Sequence, residues 1–367
     1  MTERGEILVS PGPGEVRYLL LSDGQPLELV IDRPGLLLDS VFRGRVVAIE
    51  RGLDSAFVDL GQGERPGFLP GAKAGGLSVG DAVSVRVRAE ARGGKGPLLT
   101  LQDGFDAFGE APSLLRRSSP LQRLLAANPG ISRILVDDAA TLAELRPLVP
   151  EGVTLERGET RSDLDEVLAA ALDPVVPLPS GGRLVIETTA ALTTMDVDSG
   201  SDRPSQANEE AVSVLARQVR LRGLGGQMVV DFVSGKDRKP LYRLAEALKA
   251  ALAADPIPSH VFGVTALGLV ELTRERRAPC LAELLCRRGL ELSDDTLALA
   301  ALRALLAEAL ARPGLVLGIA AAPQVIAALG RLETERAETE RRLGRPLMLR
   351  AEPGRGRDDV LIEETRS

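Results

Sequence analysis

The chain has 367 residues, a formal net charge of -7, 44% hydrophobic and only 2% aromatic side chains, and no Trp. That length and apolar content support two to three domains whose cores must be built from Leu, Val, Ala and Ile. The charge argues against a nonspecific basic coat for nucleic acid, although a local basic track is compatible with it. Cys280 and Cys286 are the only cysteines, too few for a disulfide framework. The N-terminus lacks an apolar signal segment and no apolar run reaches membrane-spanning length. A cytoplasmic protein with no membrane partner is therefore expected.

Residues 6–32 read as short alternating strands, Ile7 to Ser10, Arg17 to Leu21 and Leu27 to Ile31, parted by Pro-Gly and Asp-Gly turns. From Val41 to Thr100 come Phe-Arg-Gly-Arg-Val-Val-Ala-Ile, Ser-Ala-Phe-Val-Asp-Leu, Gly-Phe-Leu-Pro and Ala-Val-Ser-Val-Arg-Val, closed by Arg-Gly-Gly-Lys-Gly at 92–96. About five short strands with Gly-rich turns predict a small Greek-key barrel of OB type. Residues 113–175 alternate apolar runs, Ile134 to Val136 and Val153 to Leu155, with helical stretches, Asp138 to Leu148 and Arg161 to Leu172. This is α/β texture. After a Pro-rich joint beginning at Pro174, strands at Arg183 to Thr188 and Leu192 to Val197 precede a helix from Gln206 to Arg222. A strongly apolar strand, Gln227 to Phe232, and a helix from Lys239 to Ala253 follow. Beyond Glu283 the chain is rich in Ala and Leu, with helices Thr296 to Ala311 and Pro323 to Leu343 flanking a strand at Leu315 to Ile319.

Asp196, Asp198 and Asp231 are the candidates for chemistry. Asp196 and Asp198 stand two apart on a predicted strand and so share a face, while Asp231 ends the apolar strand Met-Val-Val-Asp. Carboxylates gathered at one spot repel unless protonated or neutralised by a cation. An all-oxygen set favours Mg²⁺, with Mn²⁺ as an alternative, at ~2.1 Å. Such an ion deprotonates a water and steadies charge on a phosphate under attack. The bland alternative is that strand-end aspartates simply cap surface turns. His260, the sole histidine, falls in a Pro-rich stretch and reads as a structural loop residue, which removes imidazole acid–base chemistry. Zinc is disfavoured, because Cys280 and Cys286 do not have the Cys-x-x-Cys spacing.

The scarcity of aromatics makes Phe57 and Phe68 notable. On an OB surface such rings stack bases, each stack being worth ~1–3 kcal/mol; the alternative is that one of them is core, and for Phe68 in Gly-Phe-Leu-Pro the two readings stand even. Arg43, Arg45 and Lys95 would hold a phosphate track beside them. The clusters Arg116/Arg117, Arg217/Arg220/Arg222 and Arg274/Arg276/Arg277 are further basic candidates, though an arginine run is commonly just a solvated face.

Taken together, these motifs resemble the ribonuclease E/G family of endoribonucleases from about Ile7 to Ile362. The barrel motifs are similar to the family's ribosomal-S1-like OB domain. Leu178-Pro-Ser-Gly-Gly-Arg-Leu-Val-Ile-Glu through Met195-Asp-Val-Asp-Ser resembles one catalytic motif. Asn208-Glu-Glu-Ala and Arg217-Gln-Val-Arg-Leu-Arg-Gly-Leu-Gly-Gly-Gln-Met-Val-Val-Asp-Phe resemble a second. The resemblance implies an α/β, multidomain α+β architecture: a split RNase H-like domain (1–37 plus 104–176), an inserted OB domain (38–103), a DNase I-like catalytic domain (177–282) and a linker with a small C-terminal domain (283–367).

It further implies that Asp196 and Asp231 bind the magnesium, with Asp198 where the family usually has an asparagine. Phe57, Phe68, Lys95, Arg274 and Arg276 match RNA-contact or basic positions. The implied activity is hydrolysis of single-stranded RNA by a metal-activated water, leaving 5′-phosphate and 3′-hydroxyl ends, in RNA processing or decay. The family's 5′-end sensor segment has no counterpart between the barrel and Ala111, so discrimination of 5′ ends is not expected. Its Cys-Pro-x-Cys zinc link is also missing, leaving a homodimer without that link open, and Ala266 replaces a usual arginine. The rival readings are a non-catalytic RNA-binding paralogue, such as a chaperone or assembly factor, and a translation-associated OB protein.

Overall fold

The computed structural model describes residues 5–63, 65–71, 76–105, 109–200, 204–235, 238–286 and 291–365. The chain opens with β1 (Gly5–Gly12), β2 (Glu15–Ser22) and β3 (Gln25–Asp32), an antiparallel meander. The turn between β2 and β3 is Asp23-Gly24, both at positive φ (47° and 75°), the conformation a two-residue hairpin of right-handed twist requires.

Next come β4 (Val41–Glu50), β5 (Ser55–Asp59), β6 (Gly67–Pro70), β7 (Ala82–Ala89), β8 (Leu98–Leu101) and β9 (Ser113–Arg116). They pair in the order β5-β6-β8-β7-β4-β9, and β5 also pairs with β4, so the five strands β4–β8 close into a barrel. The β6–β8 pairing is parallel and the others are antiparallel, an OB-like arrangement. Phe42, Val46, Val58, Leu69, Val85 and Leu99 fill its core. Gly44 is confined to glycine by closeness, since a Cβ there would lie 2.3 Å from Val58 Cγ1.

The chain then returns to the first sheet through α1 (Pro120–Ala127), β10 (Ile131–Val136), α2 (Ala139–Leu145), β11 (Thr154–Arg157) and α3 (Arg161–Leu172). The completed sheet runs β11-β10-β1-β2-β3, with β10 parallel to both β1 and β11. Its central strand is covered on both sides, which explains the unbroken apolar run of β1. Ile7 and Val9 pack with Leu121, Leu124 and Leu145, while Leu8 packs with Leu164, Leu281 and Leu285.

A second mixed sheet contains β12 (Val175–Pro177), β13 (Arg183–Thr188), β14 (Thr193–Asp198), β15 (Gly226–Asp231), β16 (Ser259–Val264) and β17 (Val270–Arg274), in the order β12-β13-β14-β15-β17-β16. Only β14 and β15 run parallel within it, joined by the crossover helix α4 (Pro204–Leu221). That helix and α5 (Lys239–Leu252) cover one face, burying Leu184, Met195, Val197, Met228, Val230 and Leu272. The chain closes with α6 (Leu281–Leu285), α7 (Asp294–Ala311), β18 (Leu317–Ala321), α8 (Pro323–Arg331), α9 (Glu333–Leu343), β19 (Met348–Ala351) and β20 (Leu361–Glu364).

Two expectations about elements are corrected. The stretch Pro323 to Leu343 is two helices, because Leu332 leaves helical geometry (φ -87°, ψ 59°) and restarts the chain at Glu333. His260 lies on strand β16, paired with Thr273 and exposed, not in a loop. No helix among the described residues is long and apolar enough to cross a membrane.

Candidate functional site

Strand alternation places Met195 and Val197 of β14 in the core and turns Thr194, Asp196 and Asp198 to the uncovered face of the second sheet. On β15, Met228 and Val230 point inward, and Asp231 emerges exposed at the strand's end. Asp196 and Asp231 are direct partners in the parallel register, so both carboxylates leave the carboxyl ends of adjacent strands. Burial first, and the Asp196 charge second, push the Asp231 carboxyl above its ordinary range.

Asp198 stands in a different setting. It opposes Arg183 on β13, whose Nη2 lies 2.8 Å from Asp198 Oδ2, and Gly200 N donates to Oδ1 at 2.9 Å. The Gly200 amide, and then Arg183, hold this carboxyl below its usual range. Among the described residues, no group of three or more His, Cys, Asp or Glu side chains is arranged to hold a metal ion. The donor set is thus a pair of carboxylates, which fits a hard ion that keeps most of its waters and takes one or two protein carboxylates.

The sequence placed Asn208 and Glu210 in a motif, Asn208-Glu-Glu-Ala, without saying what either side chain does for this pair. Asn208, buried on the apolar face of α4, donates from Nδ2 to Val233 O (2.8 Å) and accepts from Val233 N at Oδ1 (3.0 Å), clamping the backbone just beyond Asp231. Its signal was a polar residue among Ala207, Ala211, Val212 and Leu215 on the inward helix stripe. Glu210, also on α4, accepts from Ser180 N (3.0 Å) and Oγ (2.7 Å) and fixes the turn before β13.

On the barrel, Phe57 and Phe68 are cross-strand partners on the outside, each half-buried, with ring centroids 5.8 Å apart and planes at 66°. Of the two readings left open for these rings, the structure favours the outward one, since neither belongs to the barrel core. Lys95 is exposed in the turn closed by the Arg92–Lys95 bridge. Arg45 is exposed and donates to Ala111 O and Gly80 O.

Arg43 and Arg274 do not suit a surface track, being only 5% exposed each. Arg274 is committed to Asp255 (2.7 Å) and Leu224 O (2.8 Å). Arg276 pairs with Glu283 at 2.9 Å. The turn at Ala266 receives a guanidinium from elsewhere, since Arg238 Nη2 donates to Ala266 O at 2.7 Å.

A cavity of about 640 Å³ lies away from the aspartates, where β3, α1, the end of α4 and β17 meet. Its wall carries acids (Asp32, Glu90) as well as arginines.

Residues 102–277, which contain both aspartates, match the Ribonuclease E/G family. Just under half of this chain thus resembles that family. It is 37% identical to a Ribonuclease E of Nostoc sp. over 199 residues, covering 47% of this chain and 29% of that protein. A Ribonuclease E of Synechocystis sp. is 35% identical over 47% of this chain and 30% of its own length. A Ribonuclease G of Escherichia coli is 34% identical over 45% of this chain and 38% of its own. The chain thus spans less than two-fifths of the length of these ribonuclease E/G relatives.

Proposed function

We propose that this chain is a Mg²⁺-dependent endoribonuclease that cuts single-stranded RNA and leaves 5′-phosphate and 3′-hydroxyl ends. The observation that carries the reading is the in-register pairing of Asp196 with Asp231 at the ends of adjacent parallel strands on an uncovered face. The ribonuclease names of the relatives agree with it. In this reading the first sheet, with its meander and two parallel strands, is RNase H-like and is split by the OB barrel. The sheet bearing the aspartates is the DNase I-like catalytic domain.

Asp196 and Asp231 would hold the magnesium, with Mn²⁺ as a substitute. When bound, the ion supplies an acidified water and neutralises charge on the scissile phosphate. The protein's own part is to keep two like charges adjacent, which the clamp from Asn208 to Val233 secures from below. Phe57 and Phe68 would stack unpaired bases, and Lys95 and Arg45 would meet phosphates beside them. The open sheet face suits an extended strand rather than a duplex, and the chain would work in the cytoplasm on RNA processing or decay.

The test is cleavage of an unstructured oligoribonucleotide with and without magnesium, by wild type and Asp231→Asn. Equal activity in the two proteins would refute the site. The engagement of Asp198 by Arg183, at the position where the family usually has an asparagine, lends weight to a second reading, a non-catalytic RNA-binding paralogue. Tight RNA binding with no metal-dependent cleavage would select it.

A further inference from the structure

Three aspartates leave one edge of the open face, yet the fold treats the third differently. Asp196 faces Val185 on β13 and Asp231 on β15, whereas Asp198, one row further out, faces Arg183. Both oxygens of Asp198 are engaged, Oδ2 by Arg183 and Oδ1 by Gly200 N. The turn before Arg183 is built tightly against it: a Cβ on Gly182 would lie 2.6 Å from Asp198 O, and Glu210 ties Ser180 of the same turn to α4. The turn that carries Arg183 is therefore held on two sides, by the Asp198 backbone and by the Glu210 side chain.

We infer that Arg183 is a positioning residue that cancels the charge of Asp198 and keeps it out of the cation's coordination, so that the site presents two net negative charges instead of three. The inference rests on the reading of Asp196 and Asp231 as the cation site. A third free carboxylate would draw a divalent cation more strongly, but it would also repel an incoming phosphodiester. The pair is exposed on both sides, 58% for Arg183 and 42% for Asp198, so it adds little to folding. Its effect is electrostatic and local. Glu187 and Glu271 lie one row inward on the same face and are unchanged in every variant below.

The experiment is Mn²⁺ titration of the full chain without RNA, followed by calorimetry or by the manganese electron paramagnetic resonance signal. Arg183→Ala frees Asp198 and is expected to tighten Mn²⁺ binding by roughly three- to tenfold. Asp198→Asn leaves a lone guanidinium beside the site and is expected to weaken it by a comparable factor. The double variant restores two net charges and should return to the wild-type affinity, as should Arg183→Lys, which keeps the cation. A merely structural role would weaken binding in both single variants. Single variants that shift in the same direction, or not at all, would overturn the inference while leaving the cation site standing. Failure of the wild type to bind Mn²⁺ would instead overturn the cation site, and this inference with it.

Discussion

Replacing Glu15 by Gln would test how the C-terminal helices are fastened to the first sheet. The Glu15 carboxylate is 1% exposed and accepts from three arginines. Arg17 of β2 approaches Oε1 at 2.7 Å, Arg303 of α7 approaches the same atom at 3.1 Å, and Arg33, just after β3, reaches Oε2 at 2.9 Å. Arg17 also pairs with a second carboxylate, Asp165, at 2.6 Å. Arg303 is the most dependent: burial, with Arg17 adding to it, pushes its guanidinium down to about 10, and its Nε has no hydrogen-bond partner. A neutral amide would leave the buried Arg303 and the half-buried Arg33 without this anion, and breaking a buried pair costs about 3–5 kcal/mol. For a unit of this size that corresponds to a fall in Tm of roughly 2–4 °C per kcal/mol.

The pH dependence supplies the control. Burial would raise the Glu15 carboxyl, but Arg17, Arg303 and Arg33 outweigh it and hold it below the ordinary range. A carboxylate with a depressed folded pKa stabilises fully above its unfolded value, ~4.3, and loses that contribution as pH falls through the folded value. The difference between wild type and Glu15→Gln in urea unfolding should therefore persist from neutrality to mildly acidic pH and shrink below that. A loss under about 1 kcal/mol at neutral pH would refute the assignment of this cluster as the fastening.

Three further outcomes are expected. Asn208→Ala removes both hydrogen bonds to Val233 and should cost about 2–4 kcal/mol, with weaker Mn²⁺ binding as Asp231 loses its support; unaltered metal affinity in a folded variant would dissociate the clamp from the site. Phe57→Ala and Phe68→Ala should each weaken oligoribonucleotide binding by ~1–3 kcal/mol in fluorescence anisotropy, with far-ultraviolet circular dichroism unchanged. Asp231→Asn relieves the repulsion with Asp196, so without divalent ions it should melt above wild type, and added magnesium should stabilise the wild type alone. A lower melting point without metal would contradict the opposition of these two charges.

The elements were largely legible because each carried a local period. Arg161 to Leu172 appears as α3 with those same bounds, and the helix expected from Gln206 to Arg222 is α4, Pro204–Leu221. Period two on β14 fixed the face that Asp196 and Asp198 share. The sequence could not supply which strand lies opposite each aspartate. Asp196 and Asp231 meet only because α4 carries the chain across to a parallel neighbour, and Arg183 meets Asp198 only through the β13–β14 hairpin register. The misplacement of His260 has a local cause: Pro256 and Pro258 read as loop, whereas the edge strand begins immediately after them, at Ser259. The outward reading of Arg274 ignored a usable signal, since Val270, Leu272 and Arg274 share the inward face of β17 and a charge there must find a buried partner, which is Asp255.

The fate of the arginines reaches beyond these positions. The clusters that suggested a basic track contain Arg43, Arg220, Arg222 and Arg274, and all four are buried. Arg220 joins α4 to Glu28 of β3 and to Asn128, and Arg274 joins β17 to Asp255. In a chain with 2% aromatic residues and no Trp, long guanidinium side chains do the joining between layers that large apolar rings do elsewhere. Those charges are spent inside the fold and cannot also face a phosphate backbone. The proposed RNA grip would instead combine the Phe57–Phe68 pair with exposed cations of the barrel such as Arg45, Arg86, Arg88, Arg92 and Lys95. Such a local track is compatible with a net charge of -7, because binding needs a basic patch and not a basic total.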